Sequence, residues 1–114
     1  MKRPILYALL AIAAAAPLAP SSARAQAWQA KNLKILPKSL TKEQVKETMK
    51  KQADALGVDC DHCHAVPDMA KDTEKKEAAR RMIRMVAETN EKFFKGKPMV
   101  ECATCHRGKD KPQL

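Results

Sequence analysis

Cys60-Asp61-His62-Cys63-His64 and Cys102-Ala103-Thr104-Cys105-His106 are two copies of one pattern, C-x-x-C-H, and they contain all four cysteines of the 114-residue chain. In this pattern the two thiols add to the vinyl groups of a haem, and the histidine after the second thiol binds the iron. The sequence therefore predicts two covalently attached haem c groups. The residues that would hold them are the thiols and the final imidazole of each copy: Cys60, Cys63, His64, Cys102, Cys105 and His106.

Two other uses of paired cysteines compete with haem attachment. A zinc site built from two C-x-x-C pairs would leave the histidine after each pair unexplained, and the pairs lie further apart than in most zinc ribbons. Disulfides are favoured in exported proteins, but an exported domain more often has a single redox-active C-x-x-C bridge than two. The repeated histidine favours haem over both alternatives.

The N-terminal residues have the features of a cleavable secretory signal. A short basic start precedes an unbroken apolar run over residues 5–16, which is too short to span a bilayer. Cleavage patterns of the A-x-A type end at Ala25 and Ala27. We expect residues 1–25 to be removed, with cleavage after Ala27 as the alternative. Residues 26–114 would then form one periplasmic dihaem domain without an integral membrane span.

The chain is basic, with a formal net charge of +9. A basic surface can indicate a nucleic-acid partner, but the lysines are spread along the chain, and the propionates of two haems would offset part of the charge. We expect no nucleic-acid binding. The expected partners are redox proteins, including membrane-bound electron-transfer complexes, whose acidic surfaces exposed lysines would attract.

One amphipathic helix is predicted before each attachment run. Thr41 and Gln44 form a capping-box pattern that opens a helix ending near Leu56, with Gly57 as its C-terminal stop. The second helix is predicted over about residues 72–95. The expected fold class is mostly α: a small dihaem cytochrome c whose helices pack over two haems, with little or no sheet. Large apolar cofactors would fill the core that so short a chain cannot supply.

The remaining segments are predicted to be irregular. We expect an extended N-terminal segment over residues 28–37, a loop over residues 65–72, a short link over residues 97–101 and a polar tail from residue 107. His62 lies between the first two thioether positions, so we expect it to point away from the metal as a surface histidine.

Methionines on the inward helix faces are candidates for the remaining iron position. Met49 lies in the middle of the apolar stripe of the first helix. A helical methionine is usually core filler, but a helix that leads into an attachment run can fold back over the opposite side of the porphyrin. For the second iron Met82 is preferred, and Met85, Met69 and Met99 are the alternatives. The inward stripe of the second helix is expected to consist of Ala79, Met82, Val86 and Phe93.

Several stretches, in this order, resemble the cytochrome c subunit of the photosynthetic reaction centre. They are Asn32–Pro37, Leu56–Val58, Ala79–Met85 and Cys102–Gly108, so the resemblance covers most of the chain after the signal. That family carries four haems as two related pairs, and this chain resembles one pair. The resemblance implies a helix over each haem, with a helical methionine as sixth ligand. Those ligands would be Met49 for the haem on His64 and Met82 for the haem on His106.

Two six-coordinate irons would leave no position open for an exogenous ligand, so substrate chemistry is disfavoured and outer-sphere electron transfer is expected. The predicted function is a periplasmic dihaem c-type cytochrome that transfers single electrons between redox partners, without enzyme activity. The alternative is a small peroxidase-like haem enzyme in which one iron lacks its methionine. Carbon monoxide binding at one reduced haem would favour that alternative.

Overall fold

The computed structural model describes residues 28–113, and within them the chain is mostly helical and forms no β-strand. We label the helices in chain order: α1 spans Lys42–Leu56, α2 spans Glu74–Phe94 and α3 spans Cys102–His106, and a short 3-10 turn covers Cys60–His62. The mostly-α fold class is confirmed. The signal peptide and its cleavage sites lie outside the described residues. No helix within residues 28–113 is long and apolar enough to cross a membrane.

Helix α1 begins and ends as its sequence predicts. The Thr41 N–H donates to Gln44 Oε1 at 2.9 Å, and the Gln44 N–H donates to Thr41 Oγ1 at 3.2 Å, so each residue satisfies a free amide of the first turn. At the other end Gly57 adopts the left-handed conformation, with φ 64° and ψ 41°. A residue without a Cβ takes this conformation at little cost, which explains why the helix stops there.

The end of α1 packs closely against the chain that follows α3. A Cβ added to Gly57 would overlap the Gly108 carbonyl oxygen, so this crossing requires glycine. The Gly108 N–H donates to Ala55 O at 2.8 Å, and Ala55 is buried. The contact brings the two attachment runs together, because one follows α1 and the other forms α3.

Helix α2 is tied to the first attachment run at its first turn. The Thr73 hydroxyl oxygen accepts from the Lys76 N–H at 3.1 Å as an N-cap, and the same hydroxyl donates to Cys63 O at 2.6 Å. The helix ends where Lys95 and Gly96 both adopt positive φ, at 54° and 76°. The predicted limits of this helix are therefore confirmed to within two residues.

The predicted inward stripe of α2 is wrong at Phe93, which is 74% exposed. The buried residue at this end of the helix is Asn90. Its Oδ1 accepts the N–H groups of Met99 and Val100 at 3.1 and 2.9 Å, and its Nδ2 donates to Val100 O at 2.9 Å. The less exposed side chains of α2 therefore follow a different stripe, made of Ala79, Ile83, Val86 and Asn90.

The N-terminal segment is not extended as predicted. It forms turns, and Asn32 has a positive φ of 64°. The Asn32 side chain donates to Ala70 O at 2.7 Å and to Asp72 Oδ1 at 2.8 Å, so the segment is pinned to the loop before α2. These partners lie far along the chain, which is why local sequence did not indicate the turn.

The predicted polar tail is also wrong, because residues 107–113 fold back onto the helices. Arg107 and Gly108 have positive φ angles of 51° and 76°, which reverse the chain direction directly after α3. The Gln113 N–H then donates to Cys105 O at 2.7 Å. The C-terminal segment is thus part of the wall around the second attachment run.

Candidate haem-binding sites

Two cavities lie between the helices. The larger, of about 1190 Å³, lies between the N-terminal segment, α1 and α2. The smaller, of about 670 Å³, lies between α1, α2, α3 and the C-terminal segment. The side chains that line the larger cavity include Leu33, Ile35, Met49, Cys60, Cys63 and His64. Those that line the smaller cavity include Met82, Met85, Val86, Cys102, Cys105 and His106. Cys60, Cys63 and His64 line the smaller cavity as well, so the larger cavity contains the first C-x-x-C-H set and the smaller cavity is lined by both sets.

The two attachment runs have different backbones. In the first run the N–H groups of Cys63 and His64 both donate to Cys60 O, at 3.4 and 3.0 Å, which makes a tight turn. The second run is a short helix, and its first residues are held by the Glu101 N–H, which donates to Thr104 Oγ1 at 3.0 Å. The repeat in sequence is therefore a repeat of spacing and not of local conformation.

Both final histidines make the same contact with the backbone. His64 Nδ1 lies 3.0 Å from Met69 O, and His106 Nδ1 lies 2.9 Å from Lys109 O. Because a carbonyl oxygen can only accept, each contact requires the proton on Nδ1 and leaves the lone pair on Nε2. This is the arrangement that orients metal-binding histidines in proteins. The carbonyl partners were not predicted from the sequence, since nothing in Met69 or Lys109 marks their backbone for this contact.

The candidate methionines divide between the cavities. Met49 is half-buried and lines both cavities, and Met69 also lines both. Met82 and Met85 line the smaller cavity and are 40% and 49% exposed. Met99 lines neither cavity. Met49 thus lines the larger cavity together with His64, whereas Met82 and Met85 line only the smaller cavity, which both His64 and His106 line. The assignment of Met49 and Met82 as iron ligands stays a prediction.

His62, which the sequence predicts to be a surface histidine, keeps 25% of its side chain exposed. It is half-buried and lines the smaller cavity, although it belongs to the first attachment run. Its Nε2 lies 3.1 Å from Asp110 Oδ1, and Asp110 Oδ2 lies 3.8 Å from Lys75 Nζ. His62 therefore connects the first run to the C-terminal segment around the second. Asp110 is 48 residues away in sequence, so no local signal indicates the pair.

A charged cluster borders the larger cavity. Asp72 accepts from Lys34 Nζ at 2.7 Å, from Arg80 Nη1 at 2.8 Å and from Asn32 Nδ2 at 2.8 Å. These hydrogen bonds, with that from Lys34 the strongest, hold the pKa of Asp72 well below its usual range. Lys34 and Arg80 themselves line the cavity. The cluster therefore fixes two positive side chains at the margin of the first site.

The chain matches a known family over most of its length. The family model of the photosynthetic reaction centre cytochrome C subunit matches residues 6–114. The chain belongs to this family. Cytochrome c-554 of Chloroflexus aurantiacus is 43% identical over 58 residues, which is 46% of this chain and 14% of that protein. The match thus spans a small part of the curated relative. No solved structure matches the chain significantly.

Membership of the reaction centre cytochrome C subunit family confirms the resemblance predicted from the sequence, and it implies covalently bound haem c and a role in electron transfer. The residues present fit such a cofactor. All four cysteines are free thiols, and each pair lines a cavity beside an imidazole whose Nε2 is available. The apolar side chains and methionines of both cavities suit a large hydrophobic ring.

The zinc alternative fits less well. Within residues 28–113 no group of three or more histidine, cysteine or acidic side chains comes together in a way that could hold a metal ion. Burial also raises the pKa of the Cys63 and Cys102 thiols. A raised pKa disfavours the thiolate form that zinc binding requires.

Proposed function

We propose that this chain is an exported dihaem cytochrome c that carries single electrons between protein partners and has no enzyme activity of its own. One observation carries the proposal. Both C-x-x-C-H runs line a cavity, and in both the histidine Nδ1 is held by a backbone carbonyl. The repetition of this contact on two different backbones supports two equivalent metal-facing imidazoles.

The proposed ligand sets use one residue from a helix and three from an attachment run. Cys60, Cys63, His64 and Met49 would hold the first haem. Cys102, Cys105, His106 and Met82 would hold the second. When bound, each haem supplies one-electron exchange between ferric and ferrous iron. The thioether of each methionine would favour the ferrous state. Lys34 and Arg80, which pair with Asp72 and Glu77, line the larger cavity and would be the basic groups closest to the propionates of the first haem.

The two sites share a wall. Met49, Cys63 and Ile83 line both cavities, as does His64, so the two cavities adjoin at the first attachment run. His62 adds a second connection, since it leaves the first run and lines the smaller cavity. This arrangement supports a single carrier with two neighbouring redox centres.

Location and partners follow from the sequence features. Export to the periplasm by the predicted signal, residues 1–25, would bring the thiols to the compartment in which haem c is attached. The proposed partners are redox proteins, including membrane-bound electron-transfer complexes. We propose no nucleic-acid partner, since the lysines of the chain form no single block.

The test is expression of the exported chain together with the haem-attachment machinery. We expect intact mass to increase by two haems over the chain cleaved after Ala25 or Ala27, and the reduced spectrum to be that of a c-type cytochrome. We expect no carbon monoxide binding at neutral pH, because the proposed ligand sets would leave neither iron with an open position. A colourless product would refute the proposal, and carbon monoxide binding at one haem would favour the peroxidase-like alternative.

A further inference from the structure

An exposed apolar and basic projection lies at the C-terminal end of α2. We call residues 91–99 the α2 tip. Its apolar side chains are Phe93, Phe94 and Met99, which are 74%, 36% and 60% exposed. Its basic side chains are Lys92, Lys95 and Lys97, all exposed. Large apolar side chains that alternate with lysines in this way are costly to leave in water, which indicates an interaction site.

The haem sites do not account for the α2 tip. None of residues 91–99 lines the larger or the smaller cavity. Cofactors bound in the two cavities would therefore leave Phe93 and its neighbours as exposed as before. The projection belongs to the loaded protein and has a separate role.

The α2 tip is held in shape by its own backbone. The Gly96 N–H donates to Asn90 O at 3.0 Å, the Lys97 N–H to Phe94 O at 3.1 Å and the Met99 N–H to Lys97 O at 2.8 Å. Asn90 fixes the far end through its contacts with Met99 and Val100. A surface that is already ordered loses little conformational entropy when it binds.

We propose that the α2 tip binds the surface of an anionic phospholipid bilayer. The phenylalanines and Met99 would enter the boundary between headgroups and acyl chains, and the lysines would extend along their flexible stems to the phosphates. The charge of the tip favours this occupant, since Glu91 is its single acidic side chain against three lysines. A second copy of the chain is disfavoured because it would bring two sets of lysines together.

Membrane binding at this position would orient the second haem site. The link that leaves the α2 tip continues through Val100, which lines the smaller cavity, into α3. The smaller cavity, which Cys102, Cys105 and His106 line, would therefore lie nearer the bilayer than the larger cavity. The electron carrier would then work at a bilayer surface, in one orientation.

The test measures binding of the haem-loaded protein to vesicles by sedimentation, with the haem absorbance as readout. We expect binding to phosphatidylcholine vesicles that contain phosphatidylglycerol, little binding to phosphatidylcholine alone, and weakening by salt. Phe93→Ser should lower the partition coefficient about tenfold. Lys92→Gln and Lys97→Gln should each lower it about fivefold.

Matched controls separate the α2 tip from general apolar or basic surface. Val66→Ser removes an exposed apolar side chain, and Lys38→Gln with Lys42→Gln removes two exposed charges; none of these residues lines a cavity. We expect these controls to bind as the unmodified protein does. No binding to the anionic vesicles overturns the proposal, as does an equal loss in the control variants. Phe93-dependent binding to an acidic protein but not to vesicles would also overturn it. Because haem content and spectrum are measured on the same samples, failure here is distinct from failure of the electron-carrier proposal.

Discussion

Asn90 is predicted to hold the second attachment run in place. Its side chain makes three hydrogen bonds to the backbone of Met99 and Val100, and it is buried at the end of the inward stripe of α2. Asn90→Ala removes all three bonds and leaves two N–H groups and one carbonyl without their partner. Asn90→Asp is the informative second variant, because a carboxylate keeps the acceptor for both N–H groups but cannot donate to Val100 O.

The size of the effect follows from the bonds lost. A net contribution of about 0.5–1.5 kcal/mol for each of the three hydrogen bonds gives a destabilisation of about 1.5–4.5 kcal/mol for Asn90→Ala. Water can reach Met99, which is exposed, so we expect a value near the lower end. Asn90→Asp should lower the free energy of unfolding by about 1–3 kcal/mol, since the amide donor is replaced by a negative charge that faces the Val100 carbonyl oxygen.

The assay is denaturant unfolding of the haem-loaded protein, followed by helix circular dichroism, with carbon monoxide binding to the reduced protein as a second readout. Loss of the Asn90 bonds should loosen the link over residues 97–101 and expose the second iron to external ligands before α1 unfolds. Carbon monoxide binding should therefore increase at denaturant concentrations below the main unfolding transition. Phe93→Ala is the control at the same end of the helix. The prediction is refuted if Asn90→Ala unfolds at the same denaturant concentration as Phe93→Ala and excludes carbon monoxide equally well.

Three further predictions concern single positions. Met82→Ala should leave both haems attached but admit carbon monoxide at the second iron; if Met85→Ala does this instead, the ligand assignment is wrong. Gly57→Ala should destabilise the protein by about 2 kcal/mol or more, because alanine is strained at positive φ and its Cβ meets the Gly108 carbonyl; an unchanged denaturation midpoint would contradict the close crossing. Asp72→Asn should lower the midpoint at pH 7. Folding lowers the pKa of Asp72, so its carboxylate stabilises the fold fully above the unfolded pKa of about 3.9 and loses this effect as the pH falls below that value. The difference in midpoint between Asp72→Asn and the unmodified protein should therefore shrink at low pH. A midpoint difference that does not change with pH would contradict this prediction.

The sequence was sufficient where the deciding contacts are local. The capping residues of α1 and the N-cap of α2 act within a few positions, so both helices could be placed from sequence alone. The spacing of the cysteines and histidines likewise indicated the thiols and imidazoles that line the two cavities. The haem ligands themselves stay predictions that the spectra must test.

The sequence was insufficient where a residue depends on a distant partner. Periodicity placed Phe93 on the inward face because it is apolar. The structure instead buries Asn90, whose side chain bonds to the backbone of Val100, ten residues further along the chain. The contact of His62 and the turns of the N-terminal segment were not predicted for the same reason, since Asp110 and Asp72 lie far along the chain. The hydrophobic pattern of a sequence does not indicate which polar side chains bond to distant backbone or carboxylate groups.

These distant polar contacts have a common role. Ala55 and Asn90 are the only buried side chains among residues 28–113, so the described chain has too small an apolar core to fix its helices by packing alone. Thr73, Asn90 and Asp110 instead join each helix or turn to the next through hydrogen bonds that border the cavities. Such contacts fix the positions of the helices around the cavities, and each hydrogen bond contributes only about 0.5–1.5 kcal/mol net, since it is exchanged against a bond to water. If haems occupy both cavities, as we propose, their apolar surface would supply much of the burial that the described side chains lack.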